Sequence, residues 1–100
     1  MKDFRTFQLA AAFYKLCRQL DLPAHLRDQL LRAASSIALN AAEGRGKPTL
    51  KDQLRFFHIA MGSTREAQAV LILADLEHHD AWRALDRVAA SLYRLIERAR

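Results

Sequence analysis

Only five residues of this chain readily interrupt a helix, and four of them mark just two places: Pro23, and the run from Gly44 through Gly46 to Pro48. Between those breaks the sequence is dominated by Ala and Leu, 18 and 16 of its 100 residues. These two lose least on entering a helix. Pro23 suits the first turn of a new helix. Gly44 reads as a left-handed cap, and Pro48 disfavours helix at Lys47. Thr49 reads as an N-cap, with Asp52 in the place of a capping-box acid. A weaker third break is the polar run Glu77-His78-His79-Asp80, in which Asp80 can cap the last helix.

This punctuation predicts helices over 3–20, 23–43, 50–77 and 81–98. All three connections are short, which makes sequence neighbours antiparallel neighbours. The expected fold is therefore all-α, an antiparallel up-down-up-down four-helix bundle. A chain this size builds one core, so residues 1–100 read as one domain. Uninterrupted apolar runs stop at six residues (Leu9 to Tyr14, Ala69 to Ala74), far short of a membrane span. Met1-Lys2-Asp3 leads into no apolar signal region. Cys17 stands alone, which leaves no intrachain disulfide. A cytoplasmic protein with no membrane partner is expected.

Laid out at about 100° per residue, the four segments bury different amounts. In the fourth, Leu85, Val88, Leu92, Leu95, Ile96 and Ala99 share one stripe, while Arg83, Arg87, Arg94 and Arg98 share the opposite side. In the first, Leu9, Phe13, Leu16 and Leu20 form one apolar edge and Phe4, Phe7, Ala11 and Tyr14 another. The third carries two stripes, one through Phe56, Ile59, Ala60, Ala67, Val70 and Ala74, the other through Leu50, Leu54, Phe57, Met61 and Ile72. Together these span roughly 200° of the wheel, more than a four-helix bundle needs to bury. In a single copy the excess would lie open as an apolar patch, which argues for self-association. In the second segment Leu26, Leu30, Ile37 and Ala41 form a core stripe. Beside it Gln29, Arg32, Ser36, Asn40 and Glu43 form a polar row, flanked by small residues. By periodicity alone that row is a solvated face.

Net charge is +5, from 16 Lys and Arg against 11 Asp and Glu. Two basic groupings stand out: the Arg83, Arg87, Arg94, Arg98 stripe, and Arg45, Lys47, Lys51 and Arg55 around the second connection. Arg suits bidentate contact with phosphate. Copies assembled together would multiply each patch, pointing to RNA or DNA bound through its backbone, sequence-tolerant and salt-sensitive. No aromatic residues interleave either cluster, so base stacking is not suggested. Against this stands the plain reading that the arginines only solubilise an exposed face.

The segment from Gln29 to Gly44, QLLRAASSIALNAAEG, closely resembles the Q-L-R-R-A-A-x-S-I-x-x-N-I-A-E-G signature of the 23S rRNA-intervening-sequence protein family, also called the four helix bundle protein family. The segment from Arg55 to Glu66, RFFHIAMGSTRE, resembles its second signature, R-F-L-x-I-A-x-G-S-x-x-E. Leu31 replaces the first residue of the usual basic pair, and Leu39 and Ala41 also depart from the pattern. The resemblance implies a homo-oligomeric ring, typically a pentamer. It also implies similarity to the accessory variability determinant of diversity-generating retroelements, a basic pentamer that partners a reverse transcriptase and nucleic acid. A protein-interaction accessory subunit with no direct nucleic-acid role is the alternative function. The resemblance moves the polar row from solvent to joint: Gln29, Arg32, Ser36, Asn40, Glu43 and Gly44, with Gly62, Ser63 and Glu66, become residues that bond between helices or subunits.

Catalytic and metal chemistry have little to stand on. The paired Glu-x-x-His motifs of di-iron bundles are missing. Glu77 to Asp80 looks ligand-rich, but adjacent helical residues point about 100° apart, and a frayed helix end is the simpler reading. No His is placed to activate Ser36 or Ser63. His58 reads as a surface or joint residue and Cys17 as a small core residue. The expectation is a non-enzyme with no cofactor and no metal.

Overall fold

The computed structural model describes residues 4–100; the expected helix start at residue 3 lies outside them. Four helices form: α1 (Arg5–Arg18), α2 (Ala24–Arg45), α3 (Leu50–Leu73) and α4 (Asp80–Ala99). At 1.5 Å per residue the 24 residues of α3 account for most of the 40 Å long axis. Each helix packs on two neighbours: α1 on α2 and α4, α3 on α2 and α4, with neither diagonal pair in contact. The result is a square bundle. The starts of α1 and α3 lie beside the ends of α2 and α4, so neighbours run antiparallel.

Each break has a physical stop. Arg27 reaches back from α2, its guanidinium donating to the carbonyls of Leu20 and Arg18 at 3.0 and 3.1 Å. Thr49 caps α3, accepting from the Asp52 N–H at 3.2 Å. Three expectations need correction. Gly44 is not a left-handed cap: no glycine has positive φ, and α2 continues through Arg45. A Cβ on Gly44 would stand 2.7 and 2.9 Å from Phe57 ring carbons and 3.1 Å from the Phe56 Cβ. The glycine is there so that α3 can lie close against α2.

The third helix ends at Leu73, not 77. Asp75 takes φ 59°, and the N–H groups of Leu76 and Asp75 return to the carbonyls of Leu71 and Ile72. That is a Schellman ending with Asp where Gly is usual. Its C-terminal neighbour Leu76 packs on the core. The cap of α4 is His79 rather than Asp80: its Nδ1 accepts from the Ala81 N–H at 2.9 Å. The stretch read as a frayed helix end is a structured turn.

The main core runs through Phe13, Leu30, Ile37, Leu71, Leu85 and Leu92, all fully buried. Ala33 and Ala34 of α2 and Ala60 and Ala67 of α3 belong to the same core. A smaller cluster of Phe4, Ala41, Phe57 and Ile96 closes the end where α1 begins. Of the two apolar stripes expected on the third helix, Leu50, Ile59 and Ile72 remain exposed, and Leu39, Leu73 and Tyr93 are exposed besides them. The α1 residues Phe7, Leu9, Ala11, Tyr14 and Leu16 are half-buried.

Candidate functional site

Two surfaces concentrate the residues singled out above. The first is the outer face of the α2–α3 pair. Ser36 and Ser63 join their hydroxyls across the helices at 2.7 Å. Asn40 donates its amide to the Ser36 carbonyl at 2.9 Å and to its hydroxyl at 3.0 Å. The serine pair ties α2 to α3, with Asn40 holding the Ser36 hydroxyl from within α2, and among the described residues every buried side-chain polar atom is partnered. Glu43 forms an ion pair with Lys47 at 3.1 Å, one turn along. Gln29, Arg32 and Glu66 are exposed, and their side chains have no polar partner among the described residues.

Beside that seam runs a ridge that the sequence reading did not separate from the rest of α3. Ile59, Gly62, Glu66, Ala69 and Leu73 are all exposed and succeed one another at intervals of three and four. This is the spacing of a helix–helix contact seam. Ile59 is 43% and Leu73 69% exposed. A Cβ on Gly62 would meet nothing within 4 Å. Gly in mid-helix costs about 1 kcal/mol relative to Ala, and no neighbour within the bundle accounts for that cost at Gly62.

The second surface is basic, and the structure regroups its residues. The α4 stripe divides, because Arg83 and Arg98 lie roughly 22 Å apart along the helix. Arg83 is engaged by the Asp80 carboxylate, and Arg87 stands one turn further along. At the other end, Arg94 and Arg98 line one cavity with Arg45 and with Arg5, which sequence reading did not single out. The Arg45 guanidinium lies over the Phe4 ring, 4.5 Å from its centre. Lys47 and Arg55 share the Phe56 ring at 5.1 and 4.6 Å. Aromatic rings do therefore accompany the cations, but Phe4 is only 3% exposed. It holds a guanidinium rather than offering a face to a base. Lys51 is exposed.

This end of the bundle is suited to binding anions. Among the described residues no group of three or more His, Cys, Asp or Glu side chains could hold a metal ion. Burial pushes the Cys17 thiol up to about 12, so it stays protonated and unreactive. The Ser36 and Ser63 hydroxyls are committed to each other and to Asn40. Among the described residues no helix is long and apolar enough to cross a membrane.

The family model described as 23S rRNA-intervening sequence protein matches residues 4–97, nearly the whole chain. No curated protein matches it.

Proposed function

The chain belongs to the 23S rRNA-intervening sequence protein family, and from that premise we propose that it is a non-catalytic, self-associating scaffold that carries RNA or DNA through phosphate contacts. The observation that carries this reading is the exposed α3 ridge. Ile59, Ala69 and Leu73 present apolar surface, and Gly62 opens a gap for close approach by another helix. The unpartnered Gln29, Arg32 and Glu66 border the same face, where a second copy can satisfy them. A repeated head-to-tail contact closes into a ring when its rotation allows; the proposed ring is a pentamer. Assembly would gather the basic ends of several copies, raising their combined hold on a polyanion.

Mass in solution, measured by light scattering with and without nuclease treatment, tests both parts. A nuclease-resistant multiple of the 11.4 kDa chain is expected, together with salt-sensitive retention of mixed RNA or DNA. Replacing Ile59 and Leu73 with Ser should reduce the mass to one chain while the helical signal persists. A wild-type monomer at micromolar concentration would contradict self-association, and loss of all nucleic-acid retention at low salt would contradict the cargo.

A further inference from the structure

A cavity of about 250 Å³ sits where α1 begins and α2 and α4 finish. Four guanidinium groups line it, from three helices: Arg5, Arg45, Arg94 and Arg98. None has a carboxylate partner among the described residues. The nearby acids are engaged elsewhere, Glu97 with Arg100 and Glu43 with Lys47. Thr6 and Ser91 also line the cavity, both buried, their hydroxyls bonded to each other across α1 and α4. Two hydroxyls carry two hydrogens and that bond uses one. The second has no acceptor among the described residues.

Helix dipoles account for only part of this cluster. Arg45 and Arg98 stand in the last turns of α2 and α4, where a cation is favoured. Arg5 stands in the first turn of α1, at the positive end, where a cation is disfavoured. No carboxylate among the described residues offsets that placement. An anion in the cavity would.

Resting on the nucleic-acid reading above, we infer that this cavity binds the terminal phosphate of an RNA or DNA strand. A phosphate monoester carries nearly two charges at pH 7 and three free oxygens. An internal phosphodiester carries one charge and two. Guanidinium groups converging from three helices, with a hydroxyl beneath them, match the end group better than the continuous backbone. Arginine's fork adds bidentate geometry.

The test is fluorescence anisotropy on one oligonucleotide sequence carrying a 5′-phosphate, a 3′-phosphate or only hydroxyl ends. It compares wild type with Arg94→Gln/Arg98→Gln and with the control Arg83→Gln/Arg87→Gln, which removes equal charge from the far end of the same helix. All four arginines are exposed, and circular dichroism checks that both variants fold. The wild type is expected to bind a phosphorylated end at least about tenfold more tightly than the hydroxyl-ended strand. The preference should vanish in Arg94→Gln/Arg98→Gln, persist in the control, yield to inorganic phosphate, and shrink below about pH 6 as the monoester takes up a proton. Equal binding of all three oligonucleotides by the wild type overturns the site and leaves the nucleic-acid reading standing. Binding of none of them at low salt overturns that reading, and the site with it.

Discussion

The two glycines of the family signature should respond in opposite ways to the same added methyl group. At Gly44 the new Cβ would lie 2.7 Å from a Phe57 ring carbon, where carbon atoms prefer about 3.5–4.0 Å. The ring cannot swing outward, because Phe57 is only 3% exposed and packs in the cluster with Phe4, Ala41 and Ile96. Either α2 and α3 separate by most of an ångström or Phe57 leaves its rotamer. Overpacking of this kind costs about 1–3 kcal/mol, against roughly 1 kcal/mol gained by replacing Gly with Ala in a helix. A net loss of up to about 2 kcal/mol is expected for Gly44→Ala. In a domain of this size that lowers Tm by up to roughly 15 °C.

Gly62→Ala meets open space within the bundle, so a single copy should gain about 0.5–1 kcal/mol. In an assembly the same methyl enters the proposed joint and should weaken it. Urea unfolding followed by circular dichroism at several protein concentrations reads the first effect, and light scattering reads the second. A Gly44→Ala variant stabilised by about 1 kcal/mol, as Gly→Ala is in an open helix, would refute the close approach of α2 and α3 as the reason for that glycine. A Gly62→Ala variant that keeps the wild-type oligomer would refute the ridge as the joint.

Asp75 holds φ 59° at the end of α3, so Asp75→Gly should stabilise by about 0.5–1 kcal/mol and Asp75→Val should destabilise by at least as much, read by thermal unfolding. His79→Ala should cost about 1 kcal/mol by removing the acceptor for the Ala81 N–H; His79→Ser should restore most of it, and equal loss in both variants would assign the effect to something other than the cap. Burial raises the Cys17 thiol from 9.0 to about 12. The unfolded chain therefore loses this proton first as pH rises. The Cys17 contribution is flat below pH 9 and declines above it, by about 1.4 kcal/mol per pH unit until the folded thiol also ionises. Urea unfolding from about pH 8 to about pH 10.5 should show a steeper alkaline decline in wild type than in Cys17→Ala, and parallel profiles would contradict it.

Much of the fold was legible because Pro23, Pro48 and Thr49 act locally: their effect on a helix depends on the residues beside them. Gly44 was misread for the complementary reason. A glycine near a turn serves equally as a cap or as a point of close approach, and the Phe57 ring that decides between them comes from another helix. The end of α3 escaped notice because Asp75 occupies a left-handed position that usually carries Gly, and His is an uncommon N-cap. Periodicity captured the buried stripe of α4 because one face of one helix settles it. Arg5 stands two turns and more from the other cations of its helix, Lys15 and Arg18, and joins no basic cluster in sequence. Its convergence with Arg45, Arg94 and Arg98 joins residues up to 93 positions apart, which no local pattern reports.

The square packing also separates the two candidate surfaces. The motif face belongs to α2 and α3, whereas the Thr6–Ser91 bond beneath the arginine cavity joins α1 to α4, on the opposite side of the bundle. Burial of Ile59, Gly62 and Leu73 against another copy would therefore leave Arg5, Arg94 and Arg98 open. The division accounts for the two kinds of residue found there. The Ser36–Ser63 bond ties α2 to α3, and Asn40 holds the Ser36 hydroxyl from one turn along α2. The arginines are exposed and unpaired with carboxylates among the described residues, suited to holding an anion. On the proposed reading, loss of the arginines would remove the cargo contacts and leave the assembly. On the same reading, loss of the α2–α3 geometry would disturb both, because Arg45 ends the same helix whose packing Gly44 and Ser36 set.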